Sequence, residues 1–275
     1  MSPKEHQVHA SIPDPEQLLA DTVRSAQASG EILMSYLGAL HGTEIRTKSS
    51  SRDMVTEADV ASERQLVQML RERTPSFAIE AEEEVHDEIA DPLTPRWFLD
   101  PLDGTTNFIQ GLPMFAVSIG LFVGNEPQLA VVHLPRLQET FTALRGAGAF
   151  LNGQPIRVSD TQTLPDAILA TGFPYRRNEL AHSNLENFNR FFYEQRGVRR
   201  MGSAAIDLCY VGAGRLDGYW ELHLSPHDVA AGALIVREAG GIVSDADGGE
   251  DWLRGGHIVA AGAALHPQIC QRVEH

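Results

Sequence analysis

Behind Asp14-Pro15, apolar residues recur at helical spacing: Leu19, Val23, Ala26, Leu33 and Leu37 form one stripe. An acceptor side chain followed by proline marks the start of that helix. In "VTEADVASERQLVQMLRERTP" a second stripe buries Val60, Leu66, Val67 and Leu70, with Pro75 beyond its end. The period then changes. "SFAIEAE" and "RWFLD" predict short strands, and "MFAVSIGLFVG", "PQLAVVHLP" and "ETFTALR" predict a three-stranded antiparallel meander. "LNGQPI" carries an Asn-Gly turn. The second half alternates: a strand in "AILATGF", a helix across "NELAHSNLENFNRFFYEQ", a small-residue helix in "GSAAIDLCYVGAG" and a strand in "RLDGYWEL". "PHDVAAGALIVREAGG" predicts a helix opened by Pro226 and ended by Gly240 and Gly241. "GIVSDADG" and "HIVAAG" add strands, and a short helix closes the chain. The pattern is that of an α/β chain of the α+β type, with helices layered on mixed sheets and neither repeat nor low-complexity linker. It does not contain the order of the strands.

A length of 275 residues suits a single domain over 14–275, built of two closely packed halves, about 14–150 and 151–275. "MSPKEHQVHASIP" (1–13) lacks the apolar core of a signal peptide and reads as a disordered tail. No run approaches the roughly 18 apolar residues of a membrane span. Cys209 and Cys270 are too few for a disulfide framework; both read as buried apolar residues, and the cytoplasm is the simplest compartment. The net charge of -15 argues against direct nucleic-acid binding, which wants a basic face. It would also repel an anionic substrate, unless bound divalent cations reverse the sign locally.

Chemistry concentrates in "EAEEEVHDEIADPLTPRWFLDPLDGTTNF". Asp100 ends an apolar strand, Pro101 forces the chain out of it, and Asp103 follows in a turn that can aim both carboxylates and the Leu102 carbonyl at one point. Hard oxygen ligands of this kind suit Mg²⁺. Gly104, Thr105 and Thr106 could offer backbone N–H groups to a phosphate if a helix starts there. The plain alternative is a solvated Asp-Gly turn. Glu82 stands at a strand end, within reach of such a site, whereas Glu83, Glu84, Asp87 and Glu88 read as a solvated run. Asp59 and Asp228 each lie in the first turn of a helix, where an acid is stabilised in any case. Lys48 precedes Asp59, Glu221 ends a strand, and Gly202, Ser203 and Ala204 open a helix; all could line a polar pocket. Zinc at His223 and His227 is disfavoured, because Pro226 breaks a common helix face and no further ligand pair supports it. No G-x-S-x-G nucleophile is present.

Five segments, "DMVTEAD", "EAEEE", "WFLDPLDGTTNF", "GSAAIDLCYVGAGRLDGYWE" and "PHDVAAGALIVREAGG", stand in the order and spacing of the inositol monophosphatase family. The chain resembles that family from about Pro15 to Gly262. The resemblance implies an αβαβα sandwich, a homodimer, and a lithium-sensitive phosphatase using two or three Mg²⁺ ions per site. By position, Glu82, Asp100, the Leu102 carbonyl, Asp103 and Asp228 look like the metal ligands, with Asp100 bridging two ions. Asp59 and Thr105 resemble the pair that activates the attacking water. Backbone around Gly104 and Thr105 would hold the phosphate, with Lys48 nearby, and Gly202–Ala204, Glu221 and Asp228 would face the substrate hydroxyls. Two positions depart from the pattern: His227 replaces the usual Trp before the last ligand, and Ala81 replaces a Gly.

These features predict hydrolysis of a small phosphate monoester by metal-activated water, foremost inositol 1-phosphate. Fructose 1,6-bisphosphate, 3'-phosphoadenosine 5'-phosphate and histidinol phosphate are the rivals, with Arg199 and Arg200 keeping a bisphosphate in play. A regulatory binding protein that retains the fold is the alternative of another class.

Overall fold

The structure is a computed structural model that describes residues 12, 14–39, 45–47 and 54–275. The expected tail (Ile12 apart) and Lys48 lie outside the described residues.

The first apolar stripe becomes α1 (Pro15–Tyr36), with Asp14 accepting from the Gln17 amide as its cap. A short antiparallel pair, β1 (Ile45–Thr47) and β2 (Met54–Thr56), precedes α2 (Glu57–Arg73), so "VT" belongs to a strand rather than to the helix. On α2, Leu66 and Leu70 are buried, but Val60 and Val67 lie on its flank and are only half-buried.

Seven strands form the first sheet, ordered β3 (Ala78–Ala81), β4 (Arg96–Asp103), β5 (Ala116–Val123), β6 (Glu126–Leu134), β7 (Glu139–Leu144), β8 (Gly148–Leu151) and β9 (Gln154–Pro155). Only β3 and β4 run parallel; the expected three-stranded meander, β5 to β7, is extended by β4 on one side and by β8 and β9 on the other. The second sheet has five strands, ordered β11 (Gly197–Arg199), β10 (Ile168–Thr171), β12 (Gly218–Leu222), β14 (His257–Ala261) and β13 (Ile242–Ser244). β11 carries too few apolar residues to show in the pattern.

Side-chain alternation then stacks the layers. Trp97 and Leu99 of β4 pack with Leu33, Leu66 and Leu70 of α1 and α2, while Phe98 points the other way, toward Val229 and Ala230. That second face meets α5 (Ala204–Gly212) and α6 (Pro226–Glu238), which also touch the five-stranded sheet. Beyond that sheet lie α4 (Leu185–Phe192) and α7 (His266–Cys270), where Phe191 and Ile269 pack on Trp220 and Val259. The result is the αβαβα sandwich.

Three expectations are corrected. The helix expected across 178–195 is confined to α4, because Asn184 takes a left-handed conformation (φ 70°). Its buried amide donates to Thr171 Oγ1 and the Gly172 carbonyl, and accepts from Trp220 Nε1. Cys209 is buried as expected, but Cys270 is half-buried, its Sγ 3.8 Å from His266. Pro101 does not end β4, which continues through it to Asp103.

The middle helices fit closely only through small residues. A Cβ on Gly232 of α6 would stand 2.6 Å from Leu208 Cβ of α5. Gly232→Ala should therefore cost about 1–3 kcal/mol through overpacking, read as a lower melting temperature. An unchanged melting temperature would show that the α5–α6 contact yields freely.

Candidate active site

In a regular strand, residues three apart point to opposite faces. Asp100 and Asp103 nevertheless share one. Asp100 pairs with Ser118 and Asp103 with Ala116, so three steps on β4 oppose two on β5: a β-bulge. Leu102 then turns into the α1–α2 core while both carboxylates face α5 and α6. Proline is tolerated where the ladder is interrupted. Ser62 of α2 donates to the Pro101 carbonyl (2.9 Å), the Leu102 amide donates to Asp100 Oδ1 (2.9 Å), and Ser203 Oγ and the Ala205 amide donate to Asp103 Oδ2 (2.7 Å each).

Downstream, Gly104 adopts φ 100° and opens α3 (Thr105–Ile109). A Cβ there would lie 2.7 Å from the Met114 carbonyl, so only glycine fits. Thr105 Oγ1 is within reach of Asp59 Oδ1 (3.2 Å) and the Leu102 carbonyl (3.1 Å), with Asp59 and Thr105 both buried. Asp59 is held in a capping box with Thr56. Asn107 Nδ2 donates to the carbonyls of Met114 and Met201, joining α3 to the chain before Gly202.

Sequence reasoning missed the group that sets Glu82. Buried Glu63 of α2 accepts from the amides of Glu83, Glu84 and Val85 (2.8, 2.7 and 3.1 Å) and folds the acidic run around one carboxylate. Glu84 and Glu88 are solvated as expected, Glu84 pairing with Arg64. Asp87 is not: half-buried, it accepts from the Ile79 amide and pairs with Arg71. Asp228 shares a capping box with Ser225 at the start of α6.

Glu82, Asp103, Ser203, Ala204, Glu221 and Asp228 line a cleft of about 270 Å³, together with Gly202, Tyr175, Arg200, His223 and His227. The Glu221 carboxylate accepts from Tyr219 Oη (2.6 Å) and lies flat on Gly172, where any Cβ would come within 2.0 Å of it. Of the two flagged arginines, Arg200 enters the cleft, whereas Arg199 bonds the neighbouring Val198 carbonyl. His227 Nε2 lies 3.9 Å from Asp228 Oδ1. Gly172, Tyr175 and Glu63 gave no local signal, since their partners are remote in sequence.

Burial, reinforced by Glu82, Asp103 and Asp228, holds the Asp100 carboxyl well above the usual range. Burial, then Asp228, pushes Asp103 up to about 8. Burial raises Glu221 to about 7 against the pull of Tyr219 and Arg200. Partial desolvation at the cleft mouth, then the same carboxylates, push up the phenol of Tyr175, a residue otherwise exposed. Asp207, buried behind the cleft, is raised by burial and by Glu221, and its Oδ1 finds no partner among the described residues. Crowded acids of this kind fit a hard cation by donor type and by sign. Among the described residues no three His, Cys, Asp or Glu side chains stand as a ready-made metal-holding group.

A family profile described as the inositol monophosphatase family matches residues 14–275. Nus factor SuhB of Pseudomonas aeruginosa is 46% identical over 253 residues, covering 89% of this chain and 91% of that protein. Among solved structures, inositol monophosphatase from Anabaena is 38% identical with a TM-score of 0.85, covering 94% of this chain and 95% of its own. Extragenic suppressor protein suhB of Bartonella henselae is 37% identical with a TM-score of 0.85, covering 93% and 98%.

The raised carboxyls set a pH dependence. Each binds its proton more tightly folded than unfolded, so its stabilisation is full below the ordinary carboxylate range and is lost as pH rises toward about 8 for Asp103. Glu80, whose pair of arginines overcomes its burial, and Asp87 are shifted down and act at lower pH. His133, His257 and His266, lowered by burial, act in the opposite sense over the same window. With chelator present, Asp103→Asn should therefore gain melting temperature relative to wild type between about pH 5 and pH 8. Parallel profiles for the two proteins would contradict the crowding.

Proposed function

The chain belongs to the inositol monophosphatase family, and from that premise we propose a Mg²⁺-dependent phosphatase that hydrolyses a small phosphate monoester, foremost inositol 1-phosphate. The observation that carries this reading is the bulge that turns Asp100 and Asp103 to one buried face beside the Asp59–Thr105 pair. Glu82, Asp100, the Leu102 carbonyl, Asp103 and Asp228 would hold Mg²⁺. Once bound, Mg²⁺ neutralises phosphate charge, acidifies a water and stabilises the leaving oxygen. Amides around Gly104 and Thr105 orient the phosphate. Thr105 Oγ1, backed by the buried Asp59 carboxylate, aligns the attacking water for in-line displacement and takes part in removing its proton.

Glu221, Ser203 and the Ala204 backbone supply the hydrogen-bonding wall for substrate hydroxyls, a surface suited to a polyol. Glu221 is fixed by Tyr219 and Gly172 in the cleft wall, where it would read the alcohol rather than the phosphate. Arg200 adds a cation on the same side, which keeps sugar phosphates and bisphosphates as second-rank substrates. A cytoplasmic homodimer completes the reading. Among the described residues no helix is long and apolar enough to cross a membrane.

A second, compatible role follows from the relatives named Nus factor SuhB: docking to a transcription complex through protein contacts. The acidic charge disfavours direct nucleic-acid binding. Catalytically silent Asp100→Asn protein that still co-purifies with transcription components would support this role, and loss of that capture in otherwise folded protein would argue against it.

The decisive assay is phosphate release with and without Mg²⁺ on inositol 1-phosphate and the three rival esters. Asp100→Asn should lose nearly all turnover with its fold intact. Glu221→Gln should raise KM for inositol 1-phosphate more than for a simple aryl phosphate. Turnover that ignores Mg²⁺ or survives Asp100→Asn would overturn the assignment.

A further inference from the structure

Ser118 of β5 is 1% exposed, and its Oγ has no hydrogen-bond partner among the described residues. A buried hydroxyl without a partner is costly and calls for a reason. Its cross-strand partner is Asp100, and directly opposed residues of an antiparallel pair project their side chains to the same face about 5 Å apart at Cβ. Apart from Asp103, opposite Ala116, its neighbours on that face are apolar. Ala116 and Gly120 flank Ser118 on its own strand, Val132 opposes it on β6, and Ala230 and Ala231 of α6 pack against Gly120. Asp100 Oδ1 already accepts from the Leu102 amide, while among the described residues no donor is recorded on its second oxygen. Asp103, opposite Ala116, has Oδ2 filled by Ser203 and Ala205.

We propose that Ser118 is a positioning residue for Asp100: its hydroxyl donates to the second carboxylate oxygen when Asp100 turns to hold a cation, fixing the carboxylate plane. The inference rests on Asp100 being a metal ligand. Outer hydrogen-bond partners of this kind carry about ten- to a hundredfold in metal affinity. A thiol donates only weakly and should recover little of it.

The test uses Mn²⁺ as the probe, its free concentration followed by electron paramagnetic resonance, on wild type, Ser118→Ala, Ser118→Cys and Asp100→Asn, with melting curves in chelator alongside. Ser118→Ala should bind Mn²⁺ roughly ten- to a hundredfold more weakly, with a chelator melting temperature close to wild type. Ser118→Cys, which fills the site but donates only weakly, should bind nearly as weakly and serves if the alanine variant does not fold. Wild-type affinity in either serine variant, with affinity lost in Asp100→Asn, overturns the role of Ser118 and leaves the metal reading standing. A shifted melting temperature with unchanged affinity also overturns it. Undiminished Mn²⁺ binding in Asp100→Asn would remove the metal reading, and this inference with it.

Discussion

One extra residue in β4 governs the site. Without the bulge, Asp103 would point into the apolar layer beneath α1 and α2, and Leu102 would face the cleft. With it, two carboxylates are forced together at low exposure, an arrangement that opposes folding electrostatically. The surrounding chain is organised to tolerate this. Ser62 anchors the bulged carbonyl, the Leu102 amide and the Ser203–Ala205 turn supply donors, and Gly104 takes the left-handed step that returns the chain to α3. Stability is thereby exchanged for charge concentration, the usual bargain at functional sites.

The same geometry resolves how a strongly acidic protein can attract an anion. Repulsion is confined to one cleft, where a divalent cation would be drawn in and reverse the local sign. Across the cleft the polar chemistry changes character. Glu221 is raised to about 7, with Tyr219 and Arg200 favouring its charged form, so that wall balances acceptor and acid near neutrality. One side of the cleft suits charge, the other hydroxyl groups.

Much of this was legible because the motifs are local. Asp100, Asp103, Gly104 and Thr105 fall within six consecutive residues, and a strand followed by a turn places them whatever the rest of the chain does. Both capping acids, Asp59 and Asp228, read first as ordinary helix starts, and that is also what their backbone bonds make them. What escaped notice depends on partners far along the chain: Glu63 under Glu83–Val85, Asn107 bridging to Met201, and Gly172 beneath Glu221. Asn184 defeated the helix expected around it in the same way, since its bonds to Gly172 and Trp220 outweigh local propensity. Pro101 misled for a different reason: a proline is normally a strand terminator, and only a bulge makes it admissible.

The two sheets also differ in how their strands find one another. From β4 to β9 each strand pairs with its successor, so closing these hairpins is entropically cheap and fast. The second sheet, ordered β11-β10-β12-β14-β13, needs crossovers, and α5, α6 and β12 belong to that later half. On a growing chain, Asp100 and Asp103 would thus be paired into a sheet while Ser203, Glu221 and Asp228 are still unsynthesised. The nascent first half would carry its acids on an uncovered face, kept soluble by the very charges the finished cleft must later enclose.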